Sequence, residues 1–206
     1  MIRVLRVGFG ILAVVALVWI PVRNIGEPDF SVADYFSYFT IQSNVLGAIV
    51  LLVGGILDPK DRRWQLVRGA TTLYLVITMV VYAVLLANID VMLTDKWIND
   101  ILHRLVPIVL FADWVLVPAA TRFVEREVLV WLAYPAVYTA YTLIRGPIVD
   151  WYPYPFLDPN ASNGVIEFVV GLVVLGTVMA LLALAIGAVG RVSARVRYGE
   201  PGDAKG

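Results

Sequence analysis

Cysteine is absent from this 206-residue chain, and histidine occurs once. The first absence excludes disulfides, thiolate metal sites and cysteine nucleophiles. The second leaves no means of assembling a His-rich metal centre, so neither a metal nor an organic cofactor is expected. Net charge is also missing, since 16 basic residues balance 16 acidic ones. No basic excess recruits nucleic acid, and the composition carries no signature of disorder. What the chain has is apolar surface: 60% of its residues are hydrophobic and its mean hydropathy is +0.82. A soluble domain of this length cannot hide that much in one core. A bilayer can, because lipid solvates the outer faces of the helices.

A membrane span needs about 20 apolar residues at ~1.5 Å each. Six segments meet that requirement, over residues 4–22, 35–57, 68–87, 98–119, 128–144 and 164–190. The first lies behind Arg3 and Arg6 but has no small-x-small cleavage site, so it reads as a retained span and not as a signal peptide. Asp58-Pro59, Pro118 and Gly146-Pro147 punctuate the intervals, and no linker is long enough for a second domain. The expected fold is all-α, one polytopic six-helix bundle.

Cationic residues set the expected orientation, because cytoplasmic loops retain Lys and Arg. Arg3, Arg6, Lys60, Arg62, Arg63, Arg68, Arg122, Arg126, Arg191, Arg195, Arg197 and Lys205 fall on one side, 12 of the 16. Arg23, Lys96, Arg104 and Arg145 fall on the other. That bias predicts a multi-pass protein of the cell membrane with both termini cytoplasmic and membrane lipids as its partners. Trp19, Trp97 and Trp151 are expected as anchors near outer ends, and Trp64, Trp114 and Trp131 near inner ends.

Polar groups inside a bilayer are costly, so their distribution is informative. With this topology they gather near the outer leaflet. The second span carries Asp34-Tyr-Phe-Ser-Tyr-Phe-Thr-Ile-Gln-Ser-Asn44, the third Thr78, Tyr82 and Asn88, and the fourth Asn99, Asp100, His103 and Arg104. The fifth ends in Tyr134, Tyr138, Tyr141, Thr142 and Arg145, and the sixth begins with Asn163 and Glu167. The inner halves are largely Leu, Val, Ala and Gly, with Asp113 the exception. A polar pocket facing the outer leaflet follows.

Thr40, Ser43, Asn44 and Gly47 recur at helical spacing on one face of the second span, and Asn99, Asp100, His103 and Pro107 on the fourth. Thr40 and His103 lie at matching depths, ~9–10 Å beyond the charged loop ends. A threonine hydroxyl needs a base before it can attack a carbonyl, and a neutral imidazole is the usual base near pH 7. Asp100 is the expected orienting group for the ring, and Asn44, Gln42 and Arg145 are candidate donors to an oxyanion.

The runs Asp34-Tyr35-Phe36-Ser37-Tyr38-Phe39-Thr40-Ile41-Gln42-Ser43-Asn44, Asn99-Asp100-Ile101-Leu102-His103-Arg104-Leu105-Val106-Pro107 and Arg145-Gly146-Pro147-Ile148-Val149-Asp150-Trp151-Tyr152-Pro153-Tyr154-Pro155-Phe156 resemble the Pr6Pr family of small bacterial membrane proteins. More distantly, the six spans resemble the androgen-induced membrane hydrolases of animals. Those enzymes cleave fatty acid esters of hydroxy fatty acids with a threonine on the second span and a histidine on the fourth. The resemblance implies Thr40 and His103 in those roles, with a lipid or fatty acyl ester as substrate.

Plainer roles fit the same residues. A threonine in a membrane helix commonly bonds the carbonyl one turn back, and a lone histidine is commonly a packing residue. Gln42, Ser43 and Asn44 also read as glue between helices, with Gly47 and Gly54 permitting close approach. Arg145 and Asp150 are expected to pair across the proline-rich turn, with Trp151 to Phe156 as an interfacial anchor or a roof over the pocket. Two other functions remain open at this point. One is a small transporter or ion-coupled permease using Asp113, Glu167 and His103. The other is a non-enzymatic scaffold or lipid-binding protein.

Overall fold

The computed structural model describes residues 1–86, 95–119, 124–162 and 164–198. Asn88, Arg122, Asn163 and Lys205 lie outside the described residues. Most of the described residues are helical, and there is no strand among them. The helices are α1 (Ile2–Asn24), α2 (Val32–Tyr35), α3 (Phe39–Ile56), α4 (Arg62–Val81), α5 (Lys96–Asp100), α6 (Val106–Leu116), α7 (Glu125–Val130), α8 (Ala133–Val149) and α9 (Val165–Tyr198). A π turn over Tyr82–Leu86 extends α4, and another over Ile101–Leu105 joins α5 to α6.

Among the described residues, five helices are long and apolar enough to cross a membrane: Ile2–Asn24, Phe39–Ile56, Arg62–Leu86, Glu125–Val149 and Val165–Tyr198. The expected fourth span is a helical run from Lys96 to Leu116 with a π turn in its middle. α3 and α4 form the centre, with α1 against α3, and α6 and α9 against α4. α1 and the first half of α9 leave many Val, Ile and Leu side chains exposed, the distribution expected where lipid is the solvent.

Small residues set the spacing of α1 and α3. A Cβ on Gly10 would lie 2.8 Å from Leu52, and one on Gly55 would meet Val7 at 2.6 Å and the Arg3 carbonyl at 2.9 Å. Gly47 is similarly tight against Leu75 at 2.8 Å, whereas a Cβ on Gly54 would find ordinary contacts from 3.6 Å outward. Close approach therefore depends on Gly10, Gly47 and Gly55 and less on Gly54.

At the C-terminal end of α3 lies an ionic cluster. Arg6 donates to Asp113 at 2.7 and 3.1 Å, to Asp58 at 3.1 Å and to the Gly54 carbonyl at 3.1 Å. Arg68 lies 3.6 Å from the same Asp113 and donates to Gln65 and the Val117 carbonyl. Lys60 and Arg6 hold the Asp58 carboxyl below the usual carboxylate range. These pairs tie α1, α3, α4 and α6 together. Trp114 and Trp131, expected as interfacial anchors, are buried here at 1% and 4% exposure. They fill the spaces left by Gly69 and Gly190, so packing has taken over the role assigned to the interface.

Candidate functional site

The second span begins at Phe39, not Tyr35, because the chain breaks between α2 and α3. A helix that starts inside an apolar bundle leaves orphan N–H and C=O groups that must find partners. Tyrosines and a glutamine supply them. Phe39 N–H donates to the Tyr138 hydroxyl at 3.2 Å, and Thr40 N–H to the Tyr154 hydroxyl at 3.1 Å. Tyr138 in turn donates to the Ser37 carbonyl at 2.9 Å, and Gln42 to the Phe36 carbonyl at 2.8 Å. Thr40 thereby sits in the first turn of α3, where the helix dipole is positive.

The break brings Thr40 against His103. Thr40 Oγ1 lies 3.3 Å from His103 Nε2, and both residues are buried. The other ring nitrogen, Nδ1, lies 3.2 Å from the Asn99 carbonyl. A carbonyl can only accept, so Nδ1 carries the proton, and in the neutral ring Nε2 accepts from the Thr40 hydroxyl. The Tyr154 hydroxyl, 3.2 Å from Thr40 Oγ1, closes the chain. Its oxygen already accepts from Thr40 N–H, which leaves its own proton for Oγ1. The order is Tyr154 to Thr40 to His103 to Asn99, with one destination per proton.

Other threonines behave differently. Thr72, Thr78, Thr139 and Thr177 each donate to the carbonyl four residues back, the common habit in helices. Thr40 points its hydroxyl at an imidazole instead. The ring is itself held by Tyr82, stacked at 4.3 Å with a 29° tilt, while Asn99 Nδ2 donates to the Tyr82 hydroxyl at 2.6 Å. Tyr82 and His103 lie on the two π turns. Such turns widen a helix by one residue and recur at functional sites.

Beside Thr40 is a partly open recess, with about 450 Å³ of space between its lining residues when open solvent is included. Its walls are mainly apolar, with Ile77, Val81, Phe156, Leu175 and Met179 among them, and Thr40, Tyr138 and Tyr154 supply polar points. Among the described residues, no charged side chain lines it. The lining matches an uncharged, largely apolar group in character, next to a hydroxyl that has a base behind it.

Several expected roles do not fit this geometry. Asp100 does not orient His103: it pairs with Arg104 at 2.7 Å on the exposed side, and the Asn99 carbonyl takes its place. Asn44 is fully buried, and its amide donates to the carbonyls of Thr40 and Leu102, which leaves no proton for an oxyanion. Gln42 donates to Phe36 and accepts from Tyr134 at 2.6 Å, so it too is engaged. Arg145 pairs with Asp34 at 2.5 Å, not with Asp150, and stacks over Trp151 at 5.4 Å. It lies on a separate, shallow recess with Ser37 and Tyr141.

Asp150 instead ends α8 in the left-handed conformation at φ 51°. Asp113 is locked between Arg6 and Arg68, and Glu167 faces outward from α9. With His103 at the opposite end of the bundle from Asp113, these three groups do not line one path. The residue that sequence reading missed is Tyr154, taken there as part of an anchor or roof. Its one signal is position, between Pro153 and Pro155, which restrict the backbone on both sides.

Compared with known protein families, with curated proteins and with solved structures, this chain matches none.

Proposed function

We propose that this protein is an intramembrane hydrolase of a lipid or fatty acyl ester, with Thr40 as nucleophile and His103 as general base. The observation that carries the reading is the 3.3 Å approach of Thr40 Oγ1 to His103 Nε2, with Nδ1 turned to the Asn99 carbonyl. The proton on Nδ1 leaves Nε2 free to accept from the hydroxyl as it attacks. The mainly apolar lining suits an acyl chain, and the distant resemblance of the Thr40 and His103 segments to the androgen-induced hydrolases points the same way.

The proposal includes six spans. The run from Lys96 to Leu116 covers roughly 30 Å, the thickness of the hydrocarbon core, and counts as the sixth. An even number returns the chain to its starting side, and the bias of Lys and Arg makes that side the cytoplasm. Thr40 then lies in the outer half of a cell-membrane protein. There the ester of a membrane lipid can enter sideways and water from outside.

The test is mass-spectrometric labelling of the detergent-purified chain with a serine/threonine-directed fluorophosphonate, beside Thr40→Ala and His103→Ala. Label on Thr40 is expected, absent in the first variant and at least ~10²-fold slower in the second. Folded wild type that takes no label would overturn the reading and leave Thr40 as a helix contact in a scaffold or transporter.

A further inference from the structure

Stabilising the oxyanion of an acyl transfer requires a hydrogen-bond donor next to the nucleophile, and the donors around this cavity can be taken one by one. Thr78 donates to the Tyr74 carbonyl at 3.0 Å, Thr139 to the Pro135 carbonyl at 2.9 Å and Tyr138 to the Ser37 carbonyl at 2.9 Å. The Thr40 proton belongs to His103. Tyr154 remains. Its proton lies on Thr40 Oγ1, the one acceptor near this cavity that changes its bonding during the reaction.

We infer that the Tyr154 hydroxyl is a third catalytic residue, the donor that receives the oxyanion formed when Thr40 attacks an ester. The inference rests on the hydrolase reading. Thr40 Oγ1 bonds to the ester carbon, its proton passes to His103 Nε2, and the carbonyl π pair moves onto the carbonyl oxygen. Oγ1 is then engaged with carbon. The Tyr154 O–H turns about its own C–O bond to the new oxyanion, which is attached to that same carbon.

The phenol oxygen need not move, because Thr40 N–H still holds it. That bond also polarises the phenol towards donating. Tyr154 keeps its proton throughout. The intermediate collapses as the ester C–O bond breaks and His103 protonates the departing alcohol. Water then gives a proton to His103 as its oxygen bonds to the acyl carbon, and Tyr154 meets the second oxyanion. Collapse of that intermediate frees the acid, and His103 returns its proton to Thr40.

The segment that carries Tyr154 is well braced. Tyr152 lies so close over Gly146 that a Cβ there would sit 2.1 Å from its ring. Tyr38 meets both Trp151 and Tyr154 edge-on at 5.5 and 5.6 Å, and Phe156 stacks on Tyr154 at 5.1 Å. Donors held in place before the reaction are the ones that accelerate it.

The experiment compares turnover of para-nitrophenyl octanoate and fluorophosphonate labelling in the full-length wild type, Thr40→Ala and Tyr154→Phe. Tyr154→Phe keeps the ring and its stacking. Its kcat is expected to fall ~10²–10³-fold with KM nearly unchanged, and its label to stay on Thr40 but form more slowly. A variant as fast as wild type, or faster, would mean that the hydroxyl merely occupies the site until substrate displaces it, and would overturn the inference. Should Tyr154→Phe fail to fold, fluorinated tyrosines at position 154 decide: a kcat that tracks phenol acidity supports the donor role, and a flat response removes it. Failure of the hydrolase reading is distinct, since wild type would then show neither Thr40 label nor Thr40-dependent turnover, and the inference would fall with it.

Discussion

The two ends of α3 are both buried and polar, yet they are built from opposite materials. At Thr40 the hydrogen-bond chain is made of hydroxyls, an imidazole and main-chain groups, with no carboxylate or guanidinium in it. At Gly54 the groups are ions: Arg6 alone engages Asp113, Asp58 and a main-chain carbonyl. A guanidinium does not give up its proton in a protein, so such a cluster holds helices but passes nothing on. Hydroxyls and an imidazole exchange protons readily. An ionisable group within a membrane helix is by default a functional candidate. In this bundle the charges serve as structure, and under the proposed function the hydroxyls and the imidazole carry the chemistry.

That contrast is open to attack by substitution. Asp113→Asn should be the most damaging to stability, costing about 3–5 kcal/mol, because it leaves the buried Arg68 without a carboxylate and Arg6 with Asp58 alone. Thermal unfolding in detergent measures the loss, and the labelling rate of the molecules that remain folded should be unchanged. A labelling rate that fell with Asp113 would join the two ends into one machine. A matched pair of glycine substitutions comes next, each costing about 1–3 kcal/mol through overpacking. Gly55→Ala forces α1 from α3 and should spare Thr40 reactivity. Gly146→Ala pushes on Tyr152 and should slow it ~10-fold or more, since small displacements at a reacting centre are expensive. Equal effects on reactivity would break the division. Asp100→Asn should be the mildest, within about 0.5 kcal/mol and with an unaltered pH profile of labelling, because its pair with Arg104 is exposed. A shifted profile would restore Asp100 as the partner of the imidazole.

Much of this could be read from residues alone, and the failures have physical causes. The apolar segments were legible because hydropathy reports burial in lipid or core without regard to detail. The start of α3 at Phe39 was not, since it depends on hydroxyls arriving from Tyr138 and Tyr154, 99 and 114 residues away. The last helix runs on to Tyr198, past the expected Gly190, because its final turns are polar yet still helical. Thr40 and His103 could be matched by type and depth. Asp100 could not be excluded, because regular helical spacing puts it one turn before His103, whereas the local turn is wider and the Asn99 carbonyl takes Nδ1. Arg145 was assigned the nearest acid in sequence, but its partner Asp34 lies 111 residues away.

The wide turns at Tyr82–Leu86 and Ile101–Leu105 have a consequence for how this chain can change. A helix is a screw in which each residue advances the direction of its side chains by about 100°. A π turn is one residue inserted into that thread, so the segments before and after it are out of phase by about that angle. Removing a single residue from either turn would mend the thread and restore regular bonding. It would also swing Tyr82 or His103 out of the stack that now holds them 4.3 Å apart. Along these two stretches the number of residues is thus under tighter constraint than the identity of most of them.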